Sequence, residues 1–180
     1  MNRFIIADPK KCIGCRTCEV ACVMAHHPDG DLDSLDVGNF SPRIHVIKGY
    51  NVSTAVVCRQ CEDAPCANVC PNGAISRRDD FIYVSQEKCI GCKTCVVACP
   101  YGTMEVVNRA LPRGDGALAA SGTKAEANKC DLCHTRDGGP ACVEVCPTEA
   151  LRCVDPRAMQ SMIQEKRRRA ALDTAADLLF

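Results

Sequence analysis

The chain has 180 residues, room for one or two small domains, and its charge is balanced, 22 Lys and Arg against 22 Asp and Glu. That balance excludes a broad basic surface for nucleic acid, and 4% aromatic residues without Trp exclude stacking platforms and a large aromatic core. No apolar run is long enough to span a membrane, and the start, MNRFIIADPKKC, lacks the apolar core and cleavage site of a signal peptide.

In chain order, Phe4–Ala7 is a short apolar run predicted as a strand, and it leads into Cys12, Cys15, Cys18 and Cys22, spaced C-x2-C-x2-C-x3-C. Residues 25–42 are polar and turn-rich and read as a loop. Arg43–Lys48 and Ser53–Val57 are β-branched and predict a hairpin around Gly49–Asn51. Cys58, Cys61, Cys66 and Cys70 follow as C-x2-C-x4-C-x3-C-P, with Pro65 stiffening the wider gap. A strand Ala74–Ser76, a charged turn Arg77–Asp80 and a strand Phe81–Ser85 form the next predicted hairpin. Cys89, Cys92, Cys95 and Cys99 then repeat the first spacing, Lys88–Cys99 differing from Lys11–Cys22 only at Arg16/Lys93 and Glu19/Val96. Tyr101–Val107 is a predicted strand, and Asn108–Lys129, with Gly114, Gly116, Ser121 and Gly122, reads as a mobile insertion. Cys130, Cys133, Cys142 and Cys146 form the last set, C-x2-C-x8-C-x3-C-P, whose gap holds Gly138, Gly139 and Pro140. Leu151–Val154 is strand-like. The tail Pro156–Phe180 predicts a helix capped by Asp155, with Met159, Met162 and Ile163 on one face and a basic run Lys166–Arg169. A helix packed on the body with a solvated charged face is the plainer reading of it, a docking arm the sharper one.

The spacing C-x2-C-x2-C-x3-C-P is that of bacterial ferredoxins. Three close thiolates wrap one face of an iron–sulfur cube, Gly91 relieves crowding beside the inorganic sulfide, and the fourth thiolate is carried on the next helical turn to a second cube, before Pro100 stops that turn. Sixteen of the 17 cysteines fall into four such sets, which suit four [4Fe–4S] clusters and leave Cys153 as a spare buried thiol. Exchange of fourth cysteines between runs, with the short hairpin from Cys70 to Cys89 joining one pair of runs, gives four ligand sets. These are Cys12, Cys15, Cys18 with Cys146; Cys22 with Cys130, Cys133, Cys142; Cys58, Cys61, Cys66 with Cys99; and Cys70 with Cys89, Cys92, Cys95. The expected fold is α+β: two ferredoxin-like units of short hairpins and helices, an inner one (53–107) inserted in a discontinuous outer one (1–52 and 108–155), plus the helical tail (156–180). Zinc is the competing metal, above all for the stretched last set, but three-plus-one spacing does not suit isolated pair-and-pair zinc sites. Disulfides are opposed by partners only two residues apart and by the repetition of the sets. His26, His27, His45 and His134 carry no metal spacing with each other, His134 reading as a surface residue or one behind the ligand Cys133. Lys10, Lys11, Arg16, Arg59, Lys88, Lys93 and Lys129 flank the sets, either raising cluster potentials or merely balancing charge.

With four sets in this order the chain resembles the four-cluster iron–sulfur subunits of molybdopterin oxidoreductases, on CIGCRTCEVAC, CRQCEDAPCANVCPNGAIS, CIGCKTCVVACPYG and KAEANKCDLC. That resemblance implies the same cross-pairing, a formate dehydrogenase-type molybdopterin partner, and a hydrogenase or other acceptor beyond it. It also implies a cytoplasmic place, at most at the edge of a membrane-bound complex. No phosphate loop, Ser/His/Asp set or carboxylate pair marks a substrate site, so the expected role is electron transfer rather than catalysis. The alternative is an accessory protein for maturation of formate dehydrogenase or hydrogenase, its clusters serving structure or sensing.

Overall fold

The computed structural model describes residues 1–27, 30, 32–110 and 122–177. Four antiparallel strand pairs carry it. β1 (Phe4–Ala7) pairs with β8 (Leu151–Val154), β2 (Ile44–Lys48) with β3 (Ser53–Val57), β4 (Ile75–Arg78) with β5 (Phe81–Val84), and β6 (Glu105–Ala110) with β7 (Thr123–Asn128). Only the first pair is far apart in sequence: Phe4 faces Val154 and Ala7 faces Leu151. Four short helices, α1 (Thr17–Met24), α2 (Pro65–Asn68), α3 (Thr94–Ala98) and α4 (Ala141–Glu144), each begin inside or beside a cysteine run. A long helix, α5 (Pro156–Asp177), follows β8, and a single 3-10 turn, Leu32–Ser34, interrupts the loop after α1.

Strand alternation sorts the apolar side chains into two cores. In β2 and β3, Ile44, Val46, Ala55 and Val57 point inward while Ile47 stays exposed, the period-two pattern of a half-buried pair. They join Ile5, Leu132, Leu151 and the cysteines of α1 and α4 in the first core. Ala64, Ile75, Met104 and Ala127 make the second, around the cysteines of α2 and α3. β5 lies on the seam between them, because successive side chains of a strand face opposite ways: Phe81 enters the first core and Ile82 the second. Glu19, one of the two residues that distinguish the repeated runs, is buried and accepts the Val46 N–H at 2.6 Å, fastening α1 to β2. Its counterpart Val96 is an apolar contact of the second core.

Several local expectations change. Arg77 and Arg78 belong to β4, so the charged turn shrinks to Asp79 and Asp80, with Asp79 left-handed at φ 52°. Arg77 is drawn into the strand by Asn2 Oδ1 at 2.8 Å and Glu62 Oε2 at 2.9 Å. The expected strand Tyr101–Val107 starts later, at Glu105, and part of the expected mobile insertion is β7. The remainder of that insertion, 111–121, lies outside the described residues. Asp155 caps α5 through Ala158 N–H at 2.6 Å, but the helix does not pack as expected: from Arg157 to Asp173 its side chains are exposed, with Met159 and Glu165 half-buried.

Candidate metal centre

Each C-x2-C segment bends the same way. Its third residue is left-handed in all four runs: Gly14 (φ 69°), Gln60 (φ 50°), Gly91 (φ 66°) and Leu132 (φ 59°). Such kinks turn backbone N–H groups toward a common concavity, the nest geometry that suits anions and iron–sulfur clusters. At Gly91 a further reason appears. A Cβ there would lie 2.5 Å from Ala125 Cβ and 2.9 Å from its carbonyl oxygen, so the crowding that requires glycine comes from β7, in addition to the backbone angle.

The bends open four recesses of similar size. Cys12, Cys15, Cys18 and Cys146 line one of 330 Å³. Cys22, Cys130, Cys133 and Cys142 line another of 270 Å³. Cys58, Cys61, Cys66 and Cys99 line the third, 350 Å³, and Cys70, Cys89, Cys92 and Cys95 the fourth, 340 Å³. Each thus brings a triplet from one run together with the fourth cysteine of another. Helix spacing explains how. Cys18 and Cys22, or Cys95 and Cys99, stand four residues apart, about 6 Å along a helix, so one element serves two recesses. Cys153 lines none of the four and sits half-buried in β8.

The donor set fits iron–sulfur clusters. Burial pushes the thiols of Cys18 and Cys66 up to about 11, and raises Cys61, Cys95, Cys130, Cys133 and Cys142 as well. Thiols so placed become thiolates when a cationic core sits between them. Donors aimed at sulfur are already in place. Arg43 N–H reaches Cys22 Sγ at 3.3 Å, Leu132 N–H reaches Cys130 at 3.4 Å and Ala150 N–H reaches Cys146 at 3.3 Å. Hydroxyls of Thr17 and Thr94 stand 3.4 and 3.2 Å from Cys15 and Cys92 and lower those thiols. Cys99 and Cys146 are lowered too, since hydrogen bonds outweigh the opposing effect of their burial.

The recess of Cys22 is the most enclosed, all four of its cysteines being buried. Beside it stands a constellation that sequence spacing does not reveal. Asp131 binds His26 Nε2 at 2.9 Å, Arg43 Nη1 at 2.6 Å and His134 Nδ1 at 3.4 Å, while His26 Nδ1 donates to the Cys22 carbonyl at 2.7 Å. Burial alone would lower His26, but Asp131 and Cys22 raise it to about 9, and the same cations hold the Asp131 carboxyl well below its usual range against burial. His26, Asp131 and the Cys133 sulfur come within 4.8 Å of one another. Because the imidazole and carboxylate satisfy each other, they act behind the cysteines. His134 also lies against the Phe81 ring, centroids 5.1 Å apart.

Comparison with known proteins decides which metal group the thiols take. The model of the 4Fe-4S dicluster domain matches residues 51–156, and that of a 4Fe-4S binding domain matches residues 9–25. This chain belongs to the 4Fe-4S dicluster family. It is 67% identical to the electron transport protein HydN of Escherichia coli (strain K12), over 96% of this chain and 99% of that one. It is also 38% identical to hydrogenase-4 component A of the same organism, over 95% of this chain and 91% of that one. As a dicluster-family protein it has the ferredoxin-type α+β fold, and its clustered cysteines make it a protein of four [4Fe–4S] clusters.

Proposed function

We propose that this chain is an electron-transfer subunit relaying single electrons between a molybdopterin enzyme of the formate dehydrogenase type and a hydrogenase or other acceptor. The observation that carries the reading is the composition of the four recesses, each lined by three cysteines of one run and one of another. The ligand sets are then Cys12, Cys15, Cys18, Cys146; Cys22, Cys130, Cys133, Cys142; Cys58, Cys61, Cys66, Cys99; and Cys70, Cys89, Cys92, Cys95. Clusters held by those sets would supply one-electron transfer. The division into an outer unit (1–52 and 108–155) and an inner one (53–107) follows the two cores in part. Ile5, Cys22 and Cys142 lie in the first and Ala64, Ile75 and Cys95 in the second, while Ala55, Val57 and Phe81 of the inner unit join the first and Ala127 of the outer unit joins the second. The names of the electron transport protein and of the hydrogenase component support the role and the acceptor. The molybdopterin partner rests on the resemblance of the cysteine runs to subunits of those enzymes.

The protein's own part is order and insulation. Helices α1 and α4 pack together and serve the first two recesses, α2 and α3 the last two. Gln60 Nε2 donates to the Cys130 carbonyl at 2.8 Å and so ties the second recess to the third. The path therefore runs from the Cys12 recess through those of Cys22 and Cys58 to that of Cys70. Only Cys15 and Cys92, at opposite ends of this path, are exposed. Anaerobic purification should give about sixteen irons per chain. Cys66→Ser and Cys99→Ser should perturb the same electron paramagnetic resonance signal, and formate with its dehydrogenase should reduce the clusters rapidly. Saturation near eight irons, or clusters that stay oxidised while the dehydrogenase turns over on a dye, would overturn the relay.

A further inference from the structure

Lys129, the residue before Cys130, is 2% exposed. Its Nζ donates to the Ile82 carbonyl, to the Cys130 carbonyl at 2.7 Å and to Gln60 Oε1 at 3.5 Å. Three acceptors and no donor match the three protons of an ammonium. Among the described residues no carboxylate is paired with it. Asp131, which lines the same polar cavity, is committed to Arg43, His26 and His134. A buried cation without a counter-ion is among the costliest groups a fold can hold, so this one calls for a compensating anion.

Its place shows where that anion is. Gln60 stands in the run between Cys58 and Cys61, Ile82 of the seam strand lines the recess of those two cysteines, and Cys130 lines the recess of Cys22. The six other basic residues flanking the runs, Lys10, Lys11, Arg16, Arg59, Lys88 and Lys93, are exposed, where water and salt screen them.

We infer that Lys129 is the shared buried counter-ion of the two middle clusters, making both easier to reduce and keeping their levels close at the midpoint of the path. The inference rests on the four-cluster reading above. Each reduction would add one electron to a cluster, with no bond to Lys129 made or broken. The residue acts as a positioning charge, and its readout is a potential.

The test is an electron paramagnetic resonance redox titration of the full, cluster-loaded chain carrying Lys129→Met, with Lys129→Arg beside it. In the Met variant two of the four clusters should become harder to reduce by about tenfold in equilibrium constant, about 59 mV each for a one-electron couple, while the other two keep their potentials. Lys129→Arg, which keeps the charge, should restore most of the shift. No shift, or an equal shift in all four clusters, overturns the inference. If the Met variant loses the middle clusters and the Arg variant keeps them, the need for charge stands; loss in both overturns it. Eight irons or fewer in the unsubstituted protein would instead sink the four-cluster reading itself.

Discussion

Gln60 and Leu132 occupy the left-handed position that glycine fills in the other two runs, and each takes on a backbone cost of about 1 kcal/mol to place a side chain there. Gln60 offsets it with bonds: Ile82 N–H donates to its Oε1 at 2.9 Å and its Nε2 donates to the Cys130 carbonyl at 2.8 Å. Gln60→Gly relaxes the backbone but leaves the buried Ile82 N–H without its acceptor and removes one acceptor from Lys129, at about 1–3 kcal/mol each, while the Cys130 carbonyl keeps Lys129, so it should destabilise the protein by about 2 kcal/mol net. The urea midpoint for bleaching of the iron–sulfur absorbance measures this, and a midpoint at or above that of the unsubstituted protein would contradict it. The opposite exchange, Gly91→Ala, meets both the left-handed backbone and the Ala125 Cβ 2.5 Å away, and should cost about 2 kcal/mol or more. Adding Ala125→Gly removes the Cβ contact and leaves the angle and the residue-125 carbonyl oxygen 2.9 Å away, so the double variant should regain part of the loss; full recovery would show that neither costs anything. Gln60 and Leu132 give no hint of their backbone angle in the sequence, whereas Gly14 and Gly91 do.

At the scale of elements, what could be read from sequence divides by the range of the interactions that form each one. β1, β3 and the helix after Asp155 are legible because apolar alternation or a capping residue announces them locally. β7 is not: Thr-Lys-Ala-Glu-Ala-Asn has little apolar content and becomes a strand only through its partner. Glu126 pairs with Arg109 across the sheet at 3.6 Å, Lys124 binds the Gln86 carbonyl, and Asn128 reaches the Ser41 and Pro42 carbonyls at 3.2 and 3.3 Å. Helix α5 shows the converse, a strong local signal without a packing surface. Met162 and Ile163 remain 40% and 41% exposed, so the helix adds almost nothing to the two cores. Removing residues 156–180 should therefore leave iron content unchanged and shift stability by no more than about 0.5 kcal/mol. A truncated chain that loses iron would show that α5 supports the body in a way its exposure does not reveal.

At the scale of the whole molecule, the two nearly identical runs stand at the two ends of the path and the two variant runs stand between them. The repetition and the three-plus-one spacing mark the four cysteine sets in the sequence, the Cys70–Cys89 hairpin suggests one exchange between them, and the other exchange follows only by elimination. What spacing could not supply was the burial of Lys129, which the sequence shows only as one of seven flanking cations, or the meeting of Asp131 with His26 and Arg43, which comes only through the fold. The ends also share a feature. Beside exposed Cys15 stands Ile13, 65% exposed, and beside exposed Cys92 stands Ile90, 61% exposed, with Val97 at 88%. An apolar tip over an accessible ligand is the kind of surface on which a redox partner can exclude water and come close. Ile13→Lys and Ile90→Lys should each leave stability within about 0.5 kcal/mol, because neither side chain contributes to a core. They should instead separate the two directions of flow. One variant should slow reduction by the donor enzyme, with oxidation by the acceptor unchanged, and the other should do the reverse, each read by stopped-flow bleaching of the cluster absorbance. Two variants that slow the same half-reaction would place both partners at one end and break the through-path.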